Sequence, residues 1–149
     1  MLTLTRCGGS DPAFVRLTEA LDRDLGARYG ERMDFFGQYN HSADVACALV
    51  ARLDGEPAGC GCFKPLADGR VEIKRVFVLS ALRKKGVART VLRELENWAR
   101  ELGYREVVLE TGVLQPEALR LYEAAGYARI PNYEPYIGVD ESVCFQKTL

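Results

Sequence analysis

The stretch from 70 to 111 limits the fold more than any other part of the chain. An apolar strand over 70–79 leads to the clearest helix in the sequence, over 86–102, and then to a second strand over 106–111. Val87, Val91, Leu92, Leu95, Trp98, Ala99 and Leu102 mark one stripe of that helix. Arg89, Arg93, Glu94, Glu96, Asn97, Arg100 and Glu101 fill the other, and Gly103 supplies the stop. This order predicts a right-handed parallel crossover. In the first strand, alternation separates Val71, Ile73, Arg75 and Phe77 from Glu72, Lys74, Val76 and Val78. Both faces carry apolar residues, as expected in the middle of a sheet.

The other elements follow from period and punctuation. A short strand over 2–5 precedes Asp11-Pro12, a cap and first-turn pair, and Phe14, Leu17, Leu21 and Leu25 follow at helical spacing. Residues 31–43 read as a second short helix or a loop. Strands over 45–53 and 58–63 flank Asp54-Gly55, which predicts a hairpin. A helix runs from Gln115-Pro116 to about Ala125, and strand-like pieces at 127–130 and 142–148 complete the chain. The expected architecture is α/β: one mixed sheet with a parallel strand pair and helices on both faces.

At 149 residues the chain suits a single domain, 1–149. Its 20 Lys+Arg nearly balance 21 Asp+Glu, which argues against a general nucleic-acid partner. The apolar runs are far shorter than the ~20 residues a membrane span needs. The start, MLTLTRCGGSD, lacks the pattern of a secretion signal, so the expected setting is cytoplasmic. Five cysteines, an odd number, do not suggest a disulfide framework. Cys60-Gly61-Cys62 is tighter than zinc-ligand spacing and the single histidine, His41, is remote in sequence, so no metal is expected. Alternation puts these two thiols on one strand face, where Cys acts as a small hydrophobe.

The chemistry concentrates at 83–88, R-K-K-G-V-A, between a strand and a helix. Backbone N–H groups at a helix start lack partners inside the helix and can hold an anion. Gly86 and Ala88 keep bulk away, while Lys84, Lys85 and Arg89 add positive charge. Such a site suits a pyrophosphate. The bland alternative is a solvated basic turn. No Walker loop and no G-x-G-x-x-G is present.

Together with 115–127, Q-P-E-A-L-R-L-Y-E-A-A-G-Y, this stretch resembles the GNAT superfamily of acyl-CoA-dependent N-acyltransferases. Residues 83–88 match its R/Q-x-x-G-x-G/A signature, and 115–127 match its N-x-x-A-x-x-L-Y-x-x-x-G-F/Y segment. The resemblance is good over about 45–130. It implies a mostly antiparallel sheet with one central parallel pair, and acetyl-CoA as acyl donor without a metal. The pantetheine arm would pair with the backbone of Val76, Phe77 and Val78. The pyrophosphate would sit on the loop of Arg83, Lys84, Lys85, Gly86, Val87, Ala88 and Arg89. Gln115 stands where the family usually has Asn, so it either contacts the cofactor through a longer amide or caps the helix. Tyr122 matches the family tyrosine that protonates the departing thiolate.

An amine acceptor is mostly protonated at neutral pH and needs a base. Glu72 and Glu110 match two positions where family members place one, and water is the third option. The acceptor site would come from Tyr29, Phe35, Phe36, Tyr39 and His41 before the sheet and Tyr133, Glu134 and Tyr136 after it. These residues could equally be packing. The resemblance implies an enzyme acting by direct attack on a small-molecule or a protein amine, with no nucleic-acid or membrane partner. A homodimer is common in the family. A non-catalytic acyl-CoA sensor is the competing reading.

Overall fold

The computed structural model describes residues 1–30 and 45–149. Its elements in chain order are β1 (Leu2–Cys7), α1 (Pro12–Tyr29), β2 (Cys47–Leu53), β3 (Glu56–Pro65) and β4 (Arg70–Val78). They are followed by α2 (Val87–Glu101), β5 (Glu106–Gly112), α3 (Pro116–Ala124), β6 (Ala128–Ile130) and β7 (Ser142–Thr148). The strands form a seven-stranded sheet in the order β1-β2-β3-β4-β5-β7-β6 among the described residues. It is mostly antiparallel, and β4 and β5 are the parallel pair. The expected mixed sheet with one parallel pair is present. The expected short helix or loop over 31–43, with Phe35, Phe36, Tyr39 and His41, lies outside the described residues.

The chain forms two compact units, and β4 and α2 contribute residues to both. The first comprises Met1–Lys64 and Ile73–Leu95. Its α1 starts where Asp11-Pro12 predicts. The Asp11 carboxylate accepts hydrogen bonds from the backbone N–H of Ala13 (3.0 Å) and Phe14 (3.2 Å), satisfying two donors that the helix leaves open. Ala13, Phe14, Leu17, Leu21 and Leu25 then pack onto Ala48, Val50, Cys60, Cys62 and Phe77.

The run Gly59-Cys60-Gly61-Cys62 has a structural reason for its alternation. The cysteines belong to the face under α1. The glycines lie against α2: a Cβ on Gly61 would meet Leu95 at 2.8 Å and Val91 at 3.0 Å, and one on Gly59 would meet the Phe77 carbonyl oxygen at 2.8 Å and Val87 at 3.1 Å. Helices therefore cover both faces of β3.

β4 runs unbroken over Arg70–Val78, as alternation predicts, but one residue leaves the extended conformation. Arg75 has φ 63°, in the left-handed region, which costs a residue with a Cβ about 1–2 kcal/mol. Its buried guanidinium anchors the distortion. Nη2 donates to the Thr18 carbonyl at 3.1 Å, and Nη1 lies 2.9 Å from an Asp22 carboxylate oxygen. Arginine carries no turn signal, so the sequence conceals this kink.

The second unit comprises Pro65–Glu72 and Glu96–Leu149. β5 and β7 pair antiparallel from Glu106↔Thr148 to Gly112↔Ser142. Buried Glu96 accepts a hydrogen bond from the Tyr127 hydroxyl at 2.7 Å and one from Lys147 Nζ at 2.9 Å. Lys147 also donates to the Ala125 carbonyl at 2.9 Å, tying down the end of α3. No helix of the described residues is long and apolar enough to cross a membrane.

Candidate active site

The basic loop belongs to the first unit. After β4, Leu79 N–H donates to the Ala58 carbonyl at 2.9 Å, and a 3₁₀ turn spans Ser80–Leu82. Lys84 and Gly86 both have positive φ, 67° and 79°. Backbone N–H groups around left-handed turns of this kind can form an anion-binding concavity. A Cβ on Gly86 would meet nothing within 4 Å, so glycine is needed there for its backbone angle and leaves open space. The Gly86 carbonyl accepts the first helical bond, from Thr90 N–H at 3.1 Å, and a second from the Thr90 hydroxyl at 2.8 Å. Lys84, Lys85 and Arg89 are exposed, Ala88 is half-buried, and Val87 is buried beneath the loop.

Arg83 has a different task from its charged neighbours. Its Nε donates to the Val78 carbonyl at 2.9 Å, and its guanidinium lies 5.6 Å from the centre of the Phe77 ring. It braces the strand end on which Val76, Phe77 and Val78 lie. Lys84, Lys85 and Arg89 carry the exposed positive charge of the loop.

The carboxylates and the catalytic tyrosine candidate lie in the second unit. Tyr122 is buried on α3, edge-on to Tyr127 at 5.7 Å and tilted against Phe145 at 5.9 Å. Burial first, and then the negative charge of Glu110, holds its phenol well above the ordinary value. It therefore stays protonated at neutral pH, as a proton donor must. Gln115 is the N-cap residue of α3, with Pro116 next. Its carbonyl accepts from Ala118 N–H at 3.0 Å, but its side chain makes no capping hydrogen bond.

Glu72 is buried, and its Oε2 accepts a hydrogen bond from the Tyr133 hydroxyl at 2.7 Å. Glu110 is half-buried, and its Oε2 accepts from the Ser142 hydroxyl at 2.7 Å. Cys144 stands directly across from Glu110 in the β5–β7 register. Burial, followed by the charges of Glu110 and Glu72, pushes its thiol up to about 11, against a hydrogen bond from the Tyr133 backbone. Two carboxylates, a protonated phenol and a neutral thiol thus form one electrostatic neighbourhood. Such a group can accept a proton at a carboxylate and donate one from a phenol.

Of the acceptor-site candidates, two of the described residues take the packing alternative. Tyr29 is the last residue of α1 and belongs to the core cluster that the helix forms with β2 and β3. Tyr136 is buried behind Tyr133, the two rings edge-to-face at 5.6 Å. Glu134 is exposed. Tyr133 does reach the site, as the partner of Glu72. Sequence reasoning missed Ser142 and Cys144. Their place depends on β5–β7 register, which no local signal announces. Among the described residues no group of three or more His, Cys, Asp or Glu is placed to hold a metal ion.

A family model described as the acetyltransferase (GNAT) family matches residues 14–127. The IAA acetyltransferase of Azospirillum brasilense is 34% identical over 143 residues, covering 91% of this chain and 90% of that protein. Mammalian relatives are longer: the chain spans 39% of Homo sapiens N-acetyltransferase 8, at 36% identity over 56% of its own length. Among solved structures, a candidate acyl-CoA N-acyltransferase of Klebsiella pneumoniae subsp. pneumoniae MGH 78578 superposes with a TM-score of 0.83 at 28% identity. That match covers 100% of this chain and 98% of that one. The PaiA N-acetyltransferase of Thermoplasma acidophilum, crystallised with coenzyme A, shares the fold at a TM-score of 0.78 and 14% identity, over 100% of this chain and 99% of that one.

Proposed function

Because the chain belongs to the GNAT family of acetyltransferases, we propose that it moves an acetyl group from acetyl-CoA to the primary amine of a small molecule by direct attack in a ternary complex. The observation that carries the mechanism is the set of acid–base groups within one unit. Buried Glu72 and half-buried Glu110 are the carboxylates, and Tyr122 is a phenol held in its protonated form.

In this reading Glu72 takes the ammonium proton of the acceptor, directly or through water. The amine nitrogen then bonds to the acetyl carbon. The carbon–sulfur bond breaks, Tyr122 gives its proton to the departing thiolate, and the second proton on the attacking nitrogen passes, directly or through water, to the phenolate and restores Tyr122. Glu110 sets the electrostatic environment of Tyr122 and is the second candidate base. Lys84, Lys85 and Arg89, with the backbone at Gly86, Val87 and Ala88, receive the pyrophosphate. Gln115 is a further cofactor contact. No covalent acyl-enzyme is needed, because Cys144 is kept neutral and buried. Cytoplasmic acetyl-CoA is the natural supply for this reaction.

The test begins with calorimetric titration by acetyl-CoA, then an amine panel scored by thiol release. One-to-one binding and amine-dependent release are expected. Binding without release from any amine would favour a sensor, and release only with peptides would favour a protein acceptor. Glu72→Gln should lower kcat by about 10²–10⁴-fold, and Tyr122→Phe should lower it with little change in acetyl-CoA affinity. An unchanged kcat in Tyr122→Phe would remove the general-acid role.

A further inference from the structure

We propose that Tyr133 is a positioning residue for Glu72: its hydroxyl holds the carboxylate in one orientation and couples it to the 131–141 loop. This rests on the reading of Glu72 as the base. The hydrogen bond itself is short, 2.7 Å from the Tyr133 hydroxyl to Glu72 Oε2.

The loop behind it is built to hold that hydroxyl in place. Tyr136 packs edge-to-face on the Tyr133 ring, and its N–H donates to the Tyr133 carbonyl at 2.6 Å. Asn132 Nδ2 donates to the carbonyls of Tyr136 (3.2 Å) and Val139 (3.0 Å), closing the loop on itself. The Val139 N–H donates to the Tyr136 carbonyl at 3.0 Å, and the Ser142 N–H to the Val139 carbonyl at 3.1 Å, leading the loop into β7. The Tyr133 backbone hydrogen-bonds the Cys144 thiol. Both ends of the Tyr133 side chain are therefore specified, the ring by Tyr136 and the hydroxyl by Glu72.

Around the carboxylate stand Tyr133, backed by Tyr136, from the loop and Cys144 from β7, with Glu110 on β5 directly opposite Cys144. Burial and the Glu72 charge hold the Tyr133 phenol far above its ordinary value, so it remains a donor at every working pH. A donor of this kind fixes which way the carboxylate's remaining lone pairs point. Ser142 plays the equivalent part for Glu110. Each carboxylate is thus held by its own hydroxyl, from a different segment.

The experiment follows Glu72 directly by carbon-13 NMR of glutamate side-chain carboxyls at one neutral pH, with Glu72→Gln to assign the signal. In Tyr133→Phe the Glu72 signal is expected to move because the carboxylate loses its donor, and kcat should fall about tenfold with the KM for acetyl-CoA unchanged. A 3-fluorotyrosine at 133 keeps the ring and strengthens the donor, so it should move the signal the other way, and it serves if Tyr133→Phe folds poorly. A Glu72 signal unmoved in Tyr133→Phe, or a kcat equal to the parent's, overturns the positioning role. A moved signal with full thiol release in Glu72→Gln overturns the reading of Glu72 as base instead.

Discussion

One methyl group distinguishes the two glycines of β3 from alanine, and the contacts around them differ in kind. At Gly61 a Cβ would press on Leu95 and Val91 side chains, which can shift by tenths of an ångström. At Gly59 it would press on the Phe77 carbonyl oxygen at 2.8 Å, which is backbone and cannot yield cheaply. Gly61→Ala should therefore cost about 1–3 kcal/mol, the usual range for overpacking. Gly59→Ala should cost more, and by moving the 76–78 backbone it should also weaken acetyl-CoA binding. Denaturant midpoints and calorimetry on the two variants check both halves. Equal losses would mean that the backbone contact is no stiffer than the side chains. The small residues were plain in the sequence. What they accommodate was not, because it requires knowing that α2 lies over them.

At the scale of an element, the 83–89 loop divides its basic residues between structure and binding. Arg83 is folded onto Val78 and Phe77, whereas Lys84 and Lys85 are exposed. Lys84→Ala with Lys85→Ala should lower acetyl-CoA affinity several-fold, with the deficit shrinking at high salt and the melting temperature little changed. Arg83→Ala should lower the melting temperature by removing a hydrogen bond to a strand-end carbonyl and the packing on Phe77. A Lys84/Lys85 double variant with parental affinity would remove the electrostatic role. The start of α1 at Asp11-Pro12, the α2 stripe and the turn at Asp54-Gly55 were readable because their causes are local. The kink at Arg75 was not, since two α1 groups, Thr18 and Asp22, anchor it from more than fifty residues away in the chain.

Across the whole molecule, buried neutral groups set the alkaline limit of stability. Burial is the first cause that raises Tyr122, Tyr127, Tyr133 and Cys60, while Cys144 is pushed up to about 11. In the unfolded chain these groups titrate near their ordinary values, about 10 for tyrosine and about 8.5 for cysteine. Above those values the unfolded state binds fewer protons than the native one, so unfolding free energy falls as pH rises. The contribution is fully present below about pH 8 and is lost progressively beyond it. Urea midpoints between pH 8 and 11 should fall steadily, and Tyr127→Phe should flatten the upper part of that slope. A midpoint independent of pH up to 11 would contradict the burial of these groups.

The sequence by itself determined the elements, their order, the parallel pair and the family, because capping, periodicity and motif spacing act over a few residues or one crossover. It also placed Tyr122, Glu72 and Glu110 among the candidates. Only the tertiary structure decided which groups meet. Tyr133 reaches Glu72 across a separation of 61 residues, and Ser142 reaches Glu110 across 32. The structure also turned Arg83 inward and put Tyr29 and Tyr136 into packing. The physical reason is register. A side chain's neighbours on a sheet depend on which strand pairs with it and in what phase, and a shift of one residue would send every one of them to the opposite face.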